Sequence, residues 1–233
     1  MHLLTVDAGS AGYIATGFLA DGTTPAVWTS PDAVAWHGRA VTGKPFGHIV
    51  LDGGTSFHGG FVLAGAVLGE EGCGGASHVT PSLWHSSDGA AWARATLPGV
   101  SSAASVAMRI RRIDDRTLAG IASETTAGVE TVQAWTTHDG TTWTPVATRP
   151  NLFWQSIIGN GSQAIVVLDP PDLEGPLTIA QVDTDLSLAE LIATGDAPEL
   201  TETTPGWTIA LGPTGVLALS GDGTELRLGV PGP

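Results

Sequence analysis

A single cysteine, Cys73, stands in the 233 residues, which excludes any disulfide within the chain. Its context, EEGC, lacks the small apolar run that precedes a lipid-modified cysteine. Positive charge is scarce: nine Lys and Arg stand against 23 Asp and Glu, a formal net charge of −14. Such a field repels a phosphate backbone or an anionic lipid surface, so nucleic acid is not expected as a partner. Long apolar runs are missing too. The most apolar stretch, GGFVLAGAVLG at 59–69, is too short and too glycine-rich to cross a bilayer, so no membrane insertion is expected. The N-terminal MHLLTVDAG has no basic, apolar and small-residue series of a secretory signal. The expectation is a cytoplasmic protein, or a secreted or surface one from which a signal has been removed. No phosphate-cradling glycine loop, zinc-peptidase motif or nucleophile elbow is present, and no cofactor is expected.

Glycine and tryptophan are plentiful, with 32 and eight copies, and the tryptophans recur in register. VWTSPDAVAW ends at Trp36, LWHSSDGAAW at Trp92 and AWTTHDGTTW at Trp143, at intervals of 56 and 51 residues. Each copy reads Trp, any, Ser or Thr, any, Asp, Gly or Ala, two more, Trp. Short β-prone runs precede every copy: GYIATGF, GGFVLAGAV and RTLAGIAS, and before those HLLTV, GHIVL and AMRIRRI. The repeating unit is thus four short strands separated by glycine-rich turns, the size of one propeller blade. Two fainter copies follow, FWQSIIG to LSLAELIA and GWTIALG to TELRLGV, the second with three strands only.

These runs predict 19 strands in a single all-β domain over 1–233. The expected fold is a β-propeller of four-stranded antiparallel blades, five in number, with the last incomplete. Approximate blade limits are 1–44, 45–98, 99–150, 151–200 and 201–233. SLAELIATG at 187–195 also fits a capped helix, with Ser187, Glu190 and Gly195 as its signals, but the repeat register asks for a strand. A three-stranded last blade would leave an open edge, for the chain's own start or a neighbouring molecule to cover.

A three-residue loop of Ser87, Asp88 and Gly89 would set Trp84 opposite Trp92 across a hairpin. Gly89 and Gly140 suit a position of positive φ, and Ala33 is the misfit there. An aromatic cross-strand pair adds about 0.5 to 1.5 kcal/mol beyond its buried area, so the paired indoles read as staples. A stacking platform for sugars is the competing reading.

SSDGAAW and THDGTTW resemble the Asp-box, or BNR, repeats of sialidase-like β-propellers, in a form one residue shorter between Asp and Trp. The resemblance covers about two thirds of the chain and implies that Asp32, Asp88 and Asp139 fold their hairpins, away from any active site. Sialidases of that family hold a substrate carboxylate with three arginines and use a tyrosine nucleophile. Here the only tyrosine is Tyr13, aligned with the core positions Phe61 and Leu118, and the arginine-isoleucine-proline motif is missing. Arg109 and Arg111 share a strand face, with ion pairing as their plain explanation.

In an up-and-down blade the Asp-box hairpins share one rim, and the loops after the second strand share the other. The longest of those loops, LGEEGCGGASHVTP at 68–81, makes its rim the expected recognition face, with Glu70, Glu71 and His78 as candidate binding residues. Acidic residues such as Asp21, Glu124 and Asp172 fall on the same side, a field that favours a cation or a basic peptide. Cys73, His78 and His85 with Glu70 or Glu71 match no zinc spacing, and DTD at 183–185 lacks the rest of a calcium loop, so no metal is expected. No catalytic residue stands out. The expected role is non-catalytic binding or scaffolding of a glycan, peptide or protein partner. A glycoside hydrolase is the alternative, as is the C-terminal part of a larger secreted or surface propeller.

Overall fold

A computed structural model describes residues 2–69, 79–100, 106–126, 129–146, 153–159, 164–169, 178–182, 188–192, 208–212, 215–219 and 225–228. Those residues form strands and turns, with no helix among them. The first sheet holds β1 His2–Gly9, β2 Gly12–Phe18, β3 Pro25–Ser30 and β4 His37–Ala40, and the second β5 Ile49–Phe57, β6 Gly60–Leu68, β7 Val79–Ser86 and β8 Ala93–Arg94. The third holds β9 Val106–Asp114, β10 Thr117–Thr126, β11 Val129–Thr137 and β12 Thr144–Val146. The fourth comprises β13 Phe153–Gly159, β14 Ala164–Asp169, β15 Thr178–Val182 and β16 Leu188–Ile192. The fifth has three strands among the described residues, β17 Thr208–Gly212, β18 Gly215–Leu219 and β19 Glu225–Leu228.

Strands follow one another antiparallel in chain order within every sheet, so the protein is all-β with repeated four-stranded meanders. The expected strand number is present, and the ambiguous SLAELIATG segment contributes β16 as a strand. The chain's start is taken up in the first sheet, where β1 pairs with β2. The chain divides into two compact units, Met1–Ile110 with Leu118–Thr148, and Arg111–Thr117 with Arg149–Pro233.

In the first unit the core lies between successive sheets, because each sheet is apolar on both faces. Ile14 and Val27 of the first sheet, with Val41 and Phe46 of the following connection, pack on Leu51, Phe61, Leu63, Trp84 and Trp92. Phe57, Val62, Leu83 and Leu97 pack in the same way on Met108, Leu118, Trp135 and Trp143. The indoles of the second and third copies are therefore core, with Trp84 and Trp135 fully buried, which removes the sugar-platform reading for them. Trp36 differs. It is 37% exposed beside Val34 at 83%, and its nearest ring is Tyr13 at 6.4 Å. In the second and third copies the corresponding indoles, Trp92 and Trp143, are buried against residues of the preceding sheet.

The predicted tryptophan pairing is not what the hairpin forms. Trp84 lies opposite Arg94 and His85 opposite Ala93; likewise Trp28 faces Gly38 and Trp135 faces Pro145. The loop is longer than three residues because side chains, not a tight turn, organise it. Trp92 folds back under the loop, where its Nε1 donates to the Gly89 carbonyl at 3.0 Å. Phe46 bridges the two indoles instead, with its ring centre 5.6 Å from that of Trp84 and 6.3 Å from that of Trp92.

The first strands of three sheets share a device that the repeat pattern does not advertise. Register slips by one residue at Leu4 in β1 and at Asp52 in β5. The second unit has the same slip at Gln155 in β13. A slip of this kind turns one side chain off the alternation of the strand and bends the backbone. It also explains Gly17 and Gly65, which sit opposite Leu3 and Leu51: a Cβ at either would collide with the carbonyl oxygen of His2 or Val50.

Candidate functional site

The three aspartate turns are built alike. In the second copy the Ser86 hydroxyl accepts from the amide of Gly89 at 2.9 Å and donates to Asp88 Oδ1 at 3.0 Å. Asp88 Oδ1 in turn accepts from the amides of Ala90 and Ala91 at 2.7 and 2.8 Å. Asp32 holds Val34 and Ala35, and Asp139 holds Thr141 and Thr142, in the same geometry. At Asp32 and Asp88 the turn amides, with the Ser30 or Ser86 hydroxyl, hold the carboxyl below the usual carboxylate range; at Asp139 burial is the largest single influence and raises it, but the Thr142 and Thr141 amides and the Thr137 and Thr142 hydroxyls together outweigh it and hold it below that range too. Positive φ falls where the sequence places it, at Gly89 and Gly140, and Ala33 adopts φ 62° without a glycine's freedom. Each carboxylate folds its turn through Oδ1.

Glu70, Glu71, Cys73 and His78 lie outside the described residues. Of the acidic residues expected on loops of that side, Glu124 lies within strand β10 and Asp172 outside the described residues; the Asp21 carboxylate accepts from the amides of Thr23 and Thr24 at 3.0 and 2.9 Å, and it closes its own loop. Tyr13 pairs with Ser30 in β2 and leans on Trp36, a structural place and not that of a nucleophile. Arg109 is exposed on β9, and its charge acts on Asp52. Among the described residues no three His, Cys, Asp or Glu side chains converge as metal ligands.

Two carboxylates to which no motif points link one sheet to the next. Asp7 on β1 accepts from the Thr55 hydroxyl and, at 3.2 Å, from the Ser56 amide on β5. Asp52 on β5 accepts from the Met108 amide on β9 at 2.9 Å. Each accepts from an amide on the edge strand of the following sheet. Asp52 differs from Asp21 and from the three turn aspartates. Burial pushes its carboxyl above the ordinary range, against the opposing pull of the Met108 amide and the Arg109 charge. Asp52 is thus a half-buried carboxyl at a register slip, whose proton is held more firmly than that of an exposed aspartate. The signal was in the sequence: IVLDGG breaks the alternation of its strand at the aspartate.

A second feature lies at the tip of the β5–β6 hairpin, between the second and third sheets. Phe57, Phe61 and Val62 floor a depression of about 190 Å³, rimmed by His58, His85, Ser87, Asp139 and Thr141. His58 adopts φ 48° in the hairpin turn and sets its ring edge-on to Phe57, 4.4 Å between centres.

No protein-family model and no curated protein matches the chain. Solved structures do. The polysaccharide lyase Uly1 aligns with TM-score 0.55 over 96% of this chain and 56% of its own, at 9% identity. A puromycin hydrolase aligns with TM-score 0.53 over 98% and 38%, at 12% identity, and a GH32 β-fructofuranosidase of Bombyx mori with 0.51 over 94% and 54%, at 10% identity. The likeness is one of fold. It lies in the repeated antiparallel sheets, and the chain spans about half or less of the length of these proteins.

Proposed function

We propose that the chain is a carbohydrate-directed β-propeller that hydrolyses a glycosidic bond, with Asp52 as its acid. The observation that carries this reading is the environment of Asp52: burial favours the protonated carboxyl, and the register slip in β5 turns it out of the strand alternation. A carboxyl that holds its proton more firmly than an exposed aspartate can deliver it to the glycosidic oxygen as the bond to the anomeric carbon breaks, while a second carboxylate takes a proton from the attacking water. The fold supports the carbohydrate reading, since two of its structural neighbours are named as a fructofuranosidase and a polysaccharide lyase, and the first of these supports hydrolysis.

The repeat pattern extends the proposal to architecture. The three aspartate turns support membership of the Asp-box, or BNR, repeats, and the five sheets are read as five blades of one ring with the last incomplete. Glu70, Glu71 and His78 remain the candidates for substrate contact on the loop rim.

A panel of fluorogenic glycosides tests the hydrolytic reading. Cleavage that falls at least about a hundredfold in Asp52→Asn, the order expected for loss of general acid catalysis, with an unchanged circular dichroism spectrum, supports it. If no glycoside is cleaved, the role reverts to non-catalytic binding of a glycan, peptide or protein through the loop rim. That second reading rests on the length of the 68–81 loop.

A further inference from the structure

The two histidines of the β5–β6 depression depart from the repeat that surrounds them. His58 stands in the hairpin turn where the first sheet has Ser10, and His85 pairs with Val62 as Thr29 pairs with Ile14. In the first sheet these small residues let the next sheet close in. The space a side chain would need at Gly89 is filled by Thr29, and the Ser10 hydroxyl accepts from the Gly59 amide at 2.9 Å. One repeat further on, the corresponding Gly140 faces only Val62 and Phe57, and the junction opens into the depression. Both departures from the repeat thus fall on one opening.

The lining says what could enter. Its floor is apolar, formed by Phe57, Phe61 and Val62, and its rim offers imidazoles and hydroxyls. No lysine or arginine lines it, so a phosphate or carboxylate finds no counter-charge. The Asp139 carboxylate is taken up through Oδ1 by Thr137, Thr141 and Thr142. His58, His85 and Asp139 do not form a metal-ligand cluster. An apolar floor ringed by imidazoles and hydroxyls, with one carboxylate whose Oδ1 is already taken up by its own turn, matches a pyranose or furanose, which has a C–H face and a hydroxyl edge. The volume admits one ring.

The geometry points to a secondary subsite for a single neutral sugar unit, held by His58 and His85 on the aspartate-turn side of the second and third sheets. This rests on the carbohydrate reading above but not on hydrolysis, because Asp52 takes no part in it. The site would hold one unit of a longer chain or a free monosaccharide.

Imidazole resonances of the whole protein, followed by NMR during titration with glucose, fructose and N-acetylglucosamine, test it. The expected result is saturable movement of the His58 and His85 signals by at least one sugar, with Kd on the order of 1 mM for so small a ligand. The double variant His58→Ser, His85→Thr installs the residues of the first sheet, so it should keep its melting temperature. Its binding, read from backbone amides of Gly59 and Gly140, should weaken by at least about tenfold. Sugars that leave both imidazoles unmoved overturn the inference, as does movement caused only by choline, phosphate or zinc. If no glycoside is cleaved yet the imidazoles respond to sugar, hydrolysis fails and the subsite stands. Cleavage without any imidazole response overturns the subsite and leaves hydrolysis standing.

Discussion

Trp92→Ala puts the packing between sheets to its hardest test. The indole is 9% exposed and sits among Ile14, Val27, Val41, Phe46 and Leu63. A tryptophan withdraws up to about 250 Å², which at about 25 cal/mol per Å² gives roughly 6 kcal/mol as an upper bound for an extended reference chain. Alanine retains part of that, and the surrounding sheets relax only partly into the space, so about 4 kcal/mol is expected, within the usual range for a buried aromatic. The lost hydrogen bond to the Gly89 carbonyl is included in that figure. Urea unfolding followed by far-ultraviolet circular dichroism measures it, as a lower midpoint with an unchanged slope. Trp36→Ala is the control, because the same motif position is 37% exposed there and should cost about 2 kcal/mol. A Trp36 value equal to that of Trp92 would place a further sheet on its face. A Trp92→Ala protein that unfolds at the wild-type midpoint would refute the packing account altogether.

Trp143→Phe should cost about 1 kcal/mol less than Trp92→Phe, since the buried Trp143 Nε1 has no partner to lose whereas Trp92 loses its bond to Gly89; paired melting curves decide it. Gly65→Ala should destabilise by more than about 2 kcal/mol, because its Cβ would meet the Val50 carbonyl across the slipped register, and wild-type stability in that variant would show the slip to be absent. The lowered carboxyls of Asp32, Asp88 and Asp139 bind a proton more weakly folded than unfolded, so their stabilisation is present above about pH 4 and is lost as pH falls further. Asp139→Ala should flatten that acid limb in a series of melts, and an unchanged limb would mean that the turn does not depend on its charge.

The repeat made most of the fold legible, since three tryptophan motifs and their flanking β-prone runs placed strands β1 to β12 in order. It misled at Trp84 and Trp92. Residue spacing counts positions along a loop and is blind to side-chain scaffolding: Asp88 and Ser86 between them take up four amides, and the chain between His85 and Ala93 swings wider than a tight turn. Asp52 was missed for a related reason. Alternation assigns a strand residue to one of two faces, and a register slip creates a third direction that periodicity has no term for. His58 and His85 were seen one at a time. Only the hairpin pairing brings them to one opening, twenty-seven residues apart in sequence.

Aspartate does two opposite things in this chain, and the difference lies in what surrounds the carboxyl. Asp88 is exposed and accepts two amides and a hydroxyl, so its charge is favoured and its proton is lost early. Asp52 is half-buried and accepts from the Met108 amide, so desolvation outweighs that bond and the nearby Arg109 charge. A raised carboxyl contributes stability that is full below its unfolded value and is lost as pH rises through its folded value, the reverse of the aspartate turns. Lowering the pH therefore protonates Asp52 while the turns are still charged and the sheets intact. Asp52→Asn keeps an oxygen to accept the Met108 amide and removes the titration, so it should be at least as stable as wild type at neutral pH. If Asp52→Asn instead melts well below the parent at neutral pH, the charge itself holds the second sheet to the third. Asp52 would then be a structural latch like Asp7, and the case for it as an acid would fall.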